Sequence, residues 1–252
     1  MGTSFSIRGV VIATRPHKDQ DAIITILHPQ HGLLSAVVPG ARKHSSRLAS
    51  MATPPLLADI VLSESKGFYY VKEGESVESF RGLYDSFEAL TCASHILEIV
   101  KDTAVDPESS QLLYPLLLYV LYDLSKHPQK YRQIVAAFEW RVMDALGFAF
   151  DLSECDCGKP GNMPTRAFSF SRCRLYCSNI GCVAKAKEYR FISLGCVEAL
   201  RYIREAPLER LSAFHAEKYV LDDMCAVTHQ YLCERLEKNY NKMSILDTLP
   251  PQ

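Results

Sequence analysis

Along the first 80 residues, apolar side chains either alternate with polar ones or run in short β-branched stretches, a pattern that predicts strands. Ser6 to Thr14 (SIRGVVIAT) and Ala22 to His28 (AIITILH) are rich in Val and Ile. Pro29-Gln30-His31-Gly32 is a turn signal, and Leu33 to Val38 follows it, so this stretch reads as a hairpin. Leu56 to Ser63 and Phe68 to Lys72, joined by the turn Ser65-Lys66-Gly67, complete a set of short strands with a long loop before the fourth. Such a set fits a small closed barrel of the OB-fold kind, with an SH3-like barrel as the nearest competitor.

Near Phe80-Arg81-Gly82 the period changes from two to that of a helix. Ala89, Ala93, Ile96 and Val100 fall on one helical face. Asp106-Pro107-Glu108 reads as a cap with Pro in the first turn, opening a helix that runs to about His127. Ile134, Phe138 and Val142 mark a helix ending near Gly147, and Leu194 to Glu205 marks another. Val220, Met224, Val227 and Tyr231 mark a last one, from about Ala216 to Tyr240. The tail Leu249-Pro250-Pro251-Gln252 is expected to fray.

The 252 residues are 48% hydrophobic and 23% charged, ordinary for a globular chain. The longest uncharged apolar stretch, Leu112 to Tyr122, is interrupted by Pro115 and falls far short of the roughly 20 residues a membrane span needs. Arg8 precedes any apolar run, so the N-terminal stretch is not expected to be a secretory leader. Met1-Gly2-Thr3-Ser4-Phe5-Ser6 fits the short myristoylation pattern, but Phe5 onward already reads as a strand. The nine cysteines are therefore expected as reduced thiols, engaged in metal binding or burial rather than in disulfides.

A net charge of −1 argues against a uniformly basic chain, yet the charge is uneven. Residues 1–47 carry Arg8, Arg15, Lys18, Arg42, Lys43 and Arg47 against Asp19 and Asp21, a balance of +4, and residues 151–190 carry +3. The loop Gly40-Ala41-Arg42-Lys43-His44-Ser45-Ser46-Arg47 combines cations with small hydroxyls and has no acid. Backbone phosphates are contacted by this combination. Arg15-Pro16-His17-Lys18 is a second basic turn near the same barrel. Phe68, Tyr69 and Tyr70 offer faces on which bases can stack, or else they pack the barrel.

Five cysteines crowd into 28 residues: Cys155, Cys157, Cys173, Cys177 and Cys182. Tetrahedral zinc takes four soft ligands from two short knuckles separated by a longer excursion. Cys155-Asp156-Cys157-Gly158 is one candidate knuckle and Cys177 to Cys182 the other, with Phe168-Ser169-Phe170 as a strand between them and Cys173 as a spare thiol. The spacings, C-x-C and C-x4-C, depart from the usual C-x2-C. Cys92, Cys196, Cys225 and Cys233 fall on helical stripes and are expected in the core. The eight histidines are scattered, and no His–Cys pairing is deducible. There is no G-x-x-x-x-G-K-[ST] loop and no G-x-G-x-x-G, so nucleotide turnover has no visible site, and no H-x-E pattern ahead of a C-x-x-C, so a deaminase reading fails.

Several runs together resemble the bacterial RecO recombination-mediator family. They are Gly9 to Pro16, Asp21 to Leu27, His31-Gly32, Gly40-Ala41-Arg42-Lys43 with Ser46-Arg47, Leu146-Gly147-Phe148, Leu152 to Gly158, Phe168-Ser169 and Leu175-Tyr176-Cys177. The resemblance implies an α+β multidomain chain: an OB-fold DNA-binding barrel (1–80), then an α-helical domain (81–252) carrying a cysteine-rich, zinc-ribbon-like insertion (153–190). It implies DNA repair and recombination without catalysis, through binding of single- and double-stranded DNA and annealing of complementary strands. Expected partners are RecR and single-stranded-DNA-binding protein, with RecF and RecA as further ones. RecA loading on coated single strands would be the outcome, in the bacterial cytoplasm at the nucleoid during repair. The residues expected to meet phosphates are Arg15, Lys18, Arg42, Lys43 and Arg47, with Arg166, Arg172, Arg174, Lys185, Lys187 and Arg190 as an extension of that surface. Cys155, Cys157, Cys177 and Cys182 are the expected ligands of a structural zinc. The competing reading is a zinc-ribbon scaffold or interaction protein without annealing activity.

Overall fold

The computed structural model describes residues 4–43, 45–155, 157 and 164–248. The myristoylation pattern at Met1-Gly2-Thr3, the loop's His44, the knuckle's Asp156 and Gly158, and the tail from Leu249 lie outside the described residues. The chain forms two compact units, Met1–Gln129 with Lys242–Gln252, and Lys130–Asn241. Among the described residues, no helix is long and apolar enough to cross a membrane.

In the first unit, β1 (Ser4–His17), β2 (Asp21–His28), β3 (Gly32–Val38), β4 (Leu56–Ser65) and β5 (Phe68–Glu78) close a barrel in the order β1-β2-β3-β5-β4. The barrel closes through a parallel pairing of β3 with β5, Ala36 to Tyr69 and Val37 to Tyr70. This five-stranded order is that of an OB-fold-like barrel, and the SH3-like alternative drops out. Alternation fills the interior, where Ile24, Ile26, Ala36, Val38, Ala58, Ile60 and Leu62 are all buried. Strand β5 runs six residues past its expected end because pairing with β4 continues to Glu78. Its second half, Lys72 to Glu78, lacks the apolar alternation that marks a strand in sequence. A side chain at Gly74 would collide with Met51, which plugs the barrel.

Helices α1 (Phe87–Thr103) and α2 (Pro107–Lys126) belong to the same unit, and α2 packs on β2 and β3. Ser86 caps α1 by accepting from the amide of Ala89 at 3.2 Å. A β-carbon on Gly82 would strike the Ser125 carbonyl, so the chain can leave the barrel beside the end of α2 only with glycine there. Lys242, just past the second unit, returns to α1 and donates to the Ser94 carbonyl at 3.0 Å.

The second unit holds α3 (Tyr131–Ala145), β6 (Thr165–Ser169), β7 (Arg174–Cys177), α4 (Ile180–Ala186), β8 (Tyr189–Ser193), α5 (Leu194–Glu205) and α6 (Lys218–Arg235). Its three strands form one antiparallel sheet, β7-β6-β8. The core is aromatic: Phe150 stacks on Phe168 at 3.9 Å, and Trp140 and Tyr231 pack around the pair. The polar tips of this core are satisfied, since Trp140 Nε1 donates to the Leu200 carbonyl and the Tyr231 hydroxyl to the Phe148 carbonyl, both at 3.0 Å. Helix α6 buries the expected stripe of Val220, Met224, Val227 and Tyr231 but stops at Arg235, where Glu237 turns into the left-handed region. Cys92 and Cys196 are buried as expected, whereas Cys225 and Cys233 are only half-buried on the flanks of α6.

Candidate functional site

Two constellations stand out, one in each unit. In the barrel, register places the end of β1, the start of β2 and the end of β3 side by side, through the pairs His17 with Asp21 and Ala22 with Val38. The β1–β2 turn carries Lys18, held in the left-handed region at φ 50°. The loop after β3 is tied to that turn: the Arg42 amide donates to the Gln20 carbonyl at 2.9 Å and the Gly40 amide to Asp21 Oδ1 at 2.7 Å. Asp21 is thus spent on the backbone and fixes the loop. The Arg42 guanidinium reaches the Asp19 carbonyl at 3.4 Å, on the same turn that carries Lys18. Lys43 folds back over Gly40, whose φ of 64° and missing side chain leave room for the lysine stem. Arg15, Lys18, Arg42, Lys43 and Arg47 are all exposed.

The remaining cation of the first 47 residues is committed elsewhere. Arg8 makes a two-pronged contact with Asp59 of β4, 2.8 and 2.7 Å, across paired strands. That contact holds the Asp59 carboxyl below its usual range. Of the three aromatics at the start of β5, Phe68 is 63% exposed. Tyr69 turns its ring edge onto Phe5 at 5.6 Å and packs against the barrel core, and Tyr70 is half-buried. The stacking expectation therefore narrows to Phe68.

In the second unit the sulfurs of Cys155, Cys157, Cys177 and Cys182 lie within 4.8 Å of one another. A short parallel bridge starts the approach: the Asp151 amide donates to the Cys173 carbonyl at 2.8 Å, which sets Asp151 beside Arg174 at the start of β7. Cys177 ends β7, and Cys182 sits in the first turn of α4 with its amide on the Asn179 carbonyl. The unusual C-x4-C spacing is thus a strand end, a helix cap and one helical turn. Cys157 and Cys177 approach to 3.5 Å, near the roughly 3.8 Å that tetrahedral Zn–S bonds of about 2.3 Å impose. Burial pushes the Cys177 thiol up, but the Asn179 amide and the neighbouring thiols of Cys182, Cys157 and Cys155 outweigh it and bring it down to about 7. Cys182 moves the other way, raised by the Cys177 sulfur and by burial. The site therefore favours a thiolate at Cys177, the species a metal needs. Four such donors can hold a metal ion, and their softness and number match zinc.

Cys173 stands apart from this quartet. It occupies the β6–β7 turn at φ 52°, donates to the Phe170 carbonyl at 3.5 Å and accepts from Arg235 at 3.6 Å. Among the basic residues of the cysteine-rich segment, Arg172, Lys185, Lys187 and Arg190 are exposed. Arg166 is buried, and Arg174 lies over the Tyr176 ring at 5.5 Å with Asp151 at 3.9 Å. Those two are structural, so the expected extension loses them.

Comparison with known proteins matches residues 1–80 to the family "Recombination protein O N terminal" and residues 84–244 to "Recombination protein O C terminal". The chain belongs to the RecO family. It is 35% identical over 242 residues to the DNA repair protein RecO of Acetivibrio thermocellus, covering 96% of this chain and 95% of that protein. The RecO of Heliobacterium modesticaldum is 28% identical over 97% of this chain and 90% of its own length. That of Alkaliphilus metalliredigens is 25% identical over 94% and 96%.

One grouping in this RecO-family chain escaped sequence reasoning. Glu139 of α3, only 2% exposed, accepts from Thr228 Oγ1 at 2.8 Å and meets His229 Nδ1 at 3.0 Å. His229 Nε2 lies 3.7 Å from Cys233 Sγ. Cys233 and Glu139 raise the imidazole to about 10. The four-residue spacing of His229 and Cys233, one helical turn, is a signal that could have paired them; the carboxylate arrives from α3 and left no mark in sequence.

Proposed function

We propose that this chain is a non-enzymatic DNA repair and recombination mediator that holds DNA backbones on the basic end of its OB-fold-like barrel. The observation that carries this reading is the tie of Gly40 and Arg42 to the β1–β2 turn, the turn that also carries Lys18. Five exposed cations with little competing acid favour phosphate contacts without base readout, on single and double strands alike. Two complementary strands held with reduced mutual repulsion and free bases would anneal without nucleotide hydrolysis. Family membership supports RecR and single-stranded-DNA-binding protein as partners, RecF and RecA as further ones, and loading of RecA as the outcome. The four-cysteine site is proposed to carry one structural zinc, with Cys155, Cys157, Cys177 and Cys182 as its ligands.

The test is DNA binding and strand annealing by the Arg42→Ala/Lys43→Ala/Arg47→Ala variant at two salt concentrations. Binding to both DNA forms is expected to weaken at least tenfold at low salt, with a salt slope shallower by about two to three. Unchanged affinity and slope would overturn the barrel assignment.

A further inference from the structure

Helices α3 and α6 together build a Glu–His–Cys series that neither the basic barrel end nor the cysteine quartet uses. His229 and Cys233 are one helical turn apart on α6, with Nε2 of the histidine 3.7 Å from the cysteine Sγ. On its other side the imidazole meets Glu139 of α3 through Nδ1 at 3.0 Å. Glu139 also accepts from the Thr228 hydroxyl at 2.8 Å, which fixes the carboxylate against the ring. All four side chains belong to the second compact unit. The order of groups is that of an activated nucleophile: a thiol, a base within reach of its proton, and a third group that orients the base.

Position along the helix does not activate Cys233. It sits in the last turn of α6, where the helix dipole opposes an anion. The ring is what favours reaction. Cys233 and Glu139 raise the imidazole to about 10, so at neutral pH it carries both protons and directs one at the sulfur. The pair is also open to solvent: Cys233 is half-buried and the His229 side chain is 38% exposed, so a small reagent can approach it. Cys225, further back on the same helix and also half-buried, is the opposite case. Its thiol donates to the Arg132 carbonyl at 3.7 Å, and burial pushes it up to about 11.

We infer that Cys233 is a peroxide-reactive modification site, with His229 as its proton partner and Glu139 as the group that positions His229. In the step, the Cys233 thiolate attacks one oxygen of a hydroperoxide, so that an S–O bond forms and the O–O bond breaks. The sulfur gives up two electrons and the peroxide is reduced. The departing oxygen takes the Nε2 proton of His229 and leaves as water or an alcohol. The resulting sulfenic acid condenses with a small thiol to a mixed disulfide and water, and a second molecule of that thiol returns the free cysteine. This site is independent of the DNA-binding reading and of the metal.

The experiment treats the full-length chain at neutral pH with iodoacetamide, and separately with hydrogen peroxide in the presence of dimedone, and reads each cysteine by peptide mass spectrometry. Cys233 is expected to alkylate roughly tenfold faster than Cys225 and to take up dimedone where Cys225 does not. His229→Gln is expected to slow Cys233 roughly tenfold and to leave Cys225 at its parental rate. Cys92 and Cys196, buried in the parent, stay unlabelled in a folded variant and so report any loss of fold. Three results would each overturn the inference: Cys233 alkylating no faster than Cys225, a parental Cys233 rate in folded His229→Gln, or no dimedone adduct at Cys233. Should His229→Gln unfold, the two cysteine rates and the dimedone adduct in the parent still decide it.

Discussion

Glu139 shows how much one side chain can depend on its neighbours. A carboxylate that buried stays ionised only with donors at hand, and Thr228 and His229 supply them. His229→Ala removes the charged donor while Thr228 remains. A loss of about 2 kcal/mol is expected, below the full cost of stranding a buried charge because water reaches the imidazole. The imidazole is more basic folded than unfolded, so its stabilisation is complete below about pH 6.5 and is lost as pH rises through about 10. Urea unfolding of both proteins at pH 6.5 and above pH 10 checks this: the gap between them is expected to narrow at the higher pH, and a gap independent of pH would remove the ion pair from the account.

At the scale of elements, local signals and tertiary packing divide the work. Helix α2 starts where its sequence says it should. Asp106 accepts from the Ser109 amide at 2.8 Å, the Ser109 hydroxyl reaches back to the Asp106 backbone, and Pro107 fills the first position. These hydrogen bonds hold the Asp106 carboxyl below its ordinary range. Asp106→Ala is expected to lower the midpoint of chemical denaturation, and Asp106→Asn to lower it much less. Strand β8 is the opposite case. Tyr189 to Ser193 has one buried residue, Ile192, and too little alternation to mark a strand. Pairing with β6 makes it one, from Ser169 with Tyr189 to Thr165 with Ser193. The second cysteine knuckle is similar, since nothing in Cys177 to Cys182 announces that the extra residues are the first turn of α4.

Across the whole molecule, the two proposed functions occupy different compact units, the cationic barrel end in one and the cysteine quartet in the other. The quartet joins three pieces of backbone: the 151–157 segment, β7 and α4. A metal bridging them stabilises the fold by its binding free energy. Elemental analysis is expected to give one zinc per chain, and strong chelator is expected to lower the thermal midpoint. Cys177→Ser is expected to abolish zinc retention, whereas Cys173→Ser leaves it intact. Full zinc retention in Cys177→Ser would disprove the ligand assignment.

Periodicity and turn residues were enough to read the barrel strands and the main helices, because those signals act over a few neighbouring residues; the division into compact units, at Gln129 and Lys130, depends on packing and left no such signal. Side-chain chemistry at short range likewise marked the four cysteines and the basic loop. Tertiary structure alone decided which side chains those elements leave free. Arg8 and Arg166 are as cationic in sequence as Arg42, yet one is matched by Asp59 across a strand pair and the other is buried. Tyr69 and Phe68 are adjacent aromatics, yet barrel closure turns one toward Phe5 and leaves the other in water. Glu139 meets His229 from 90 residues away. Such pairings depend on contacts between distant segments, which no local pattern of residues encodes.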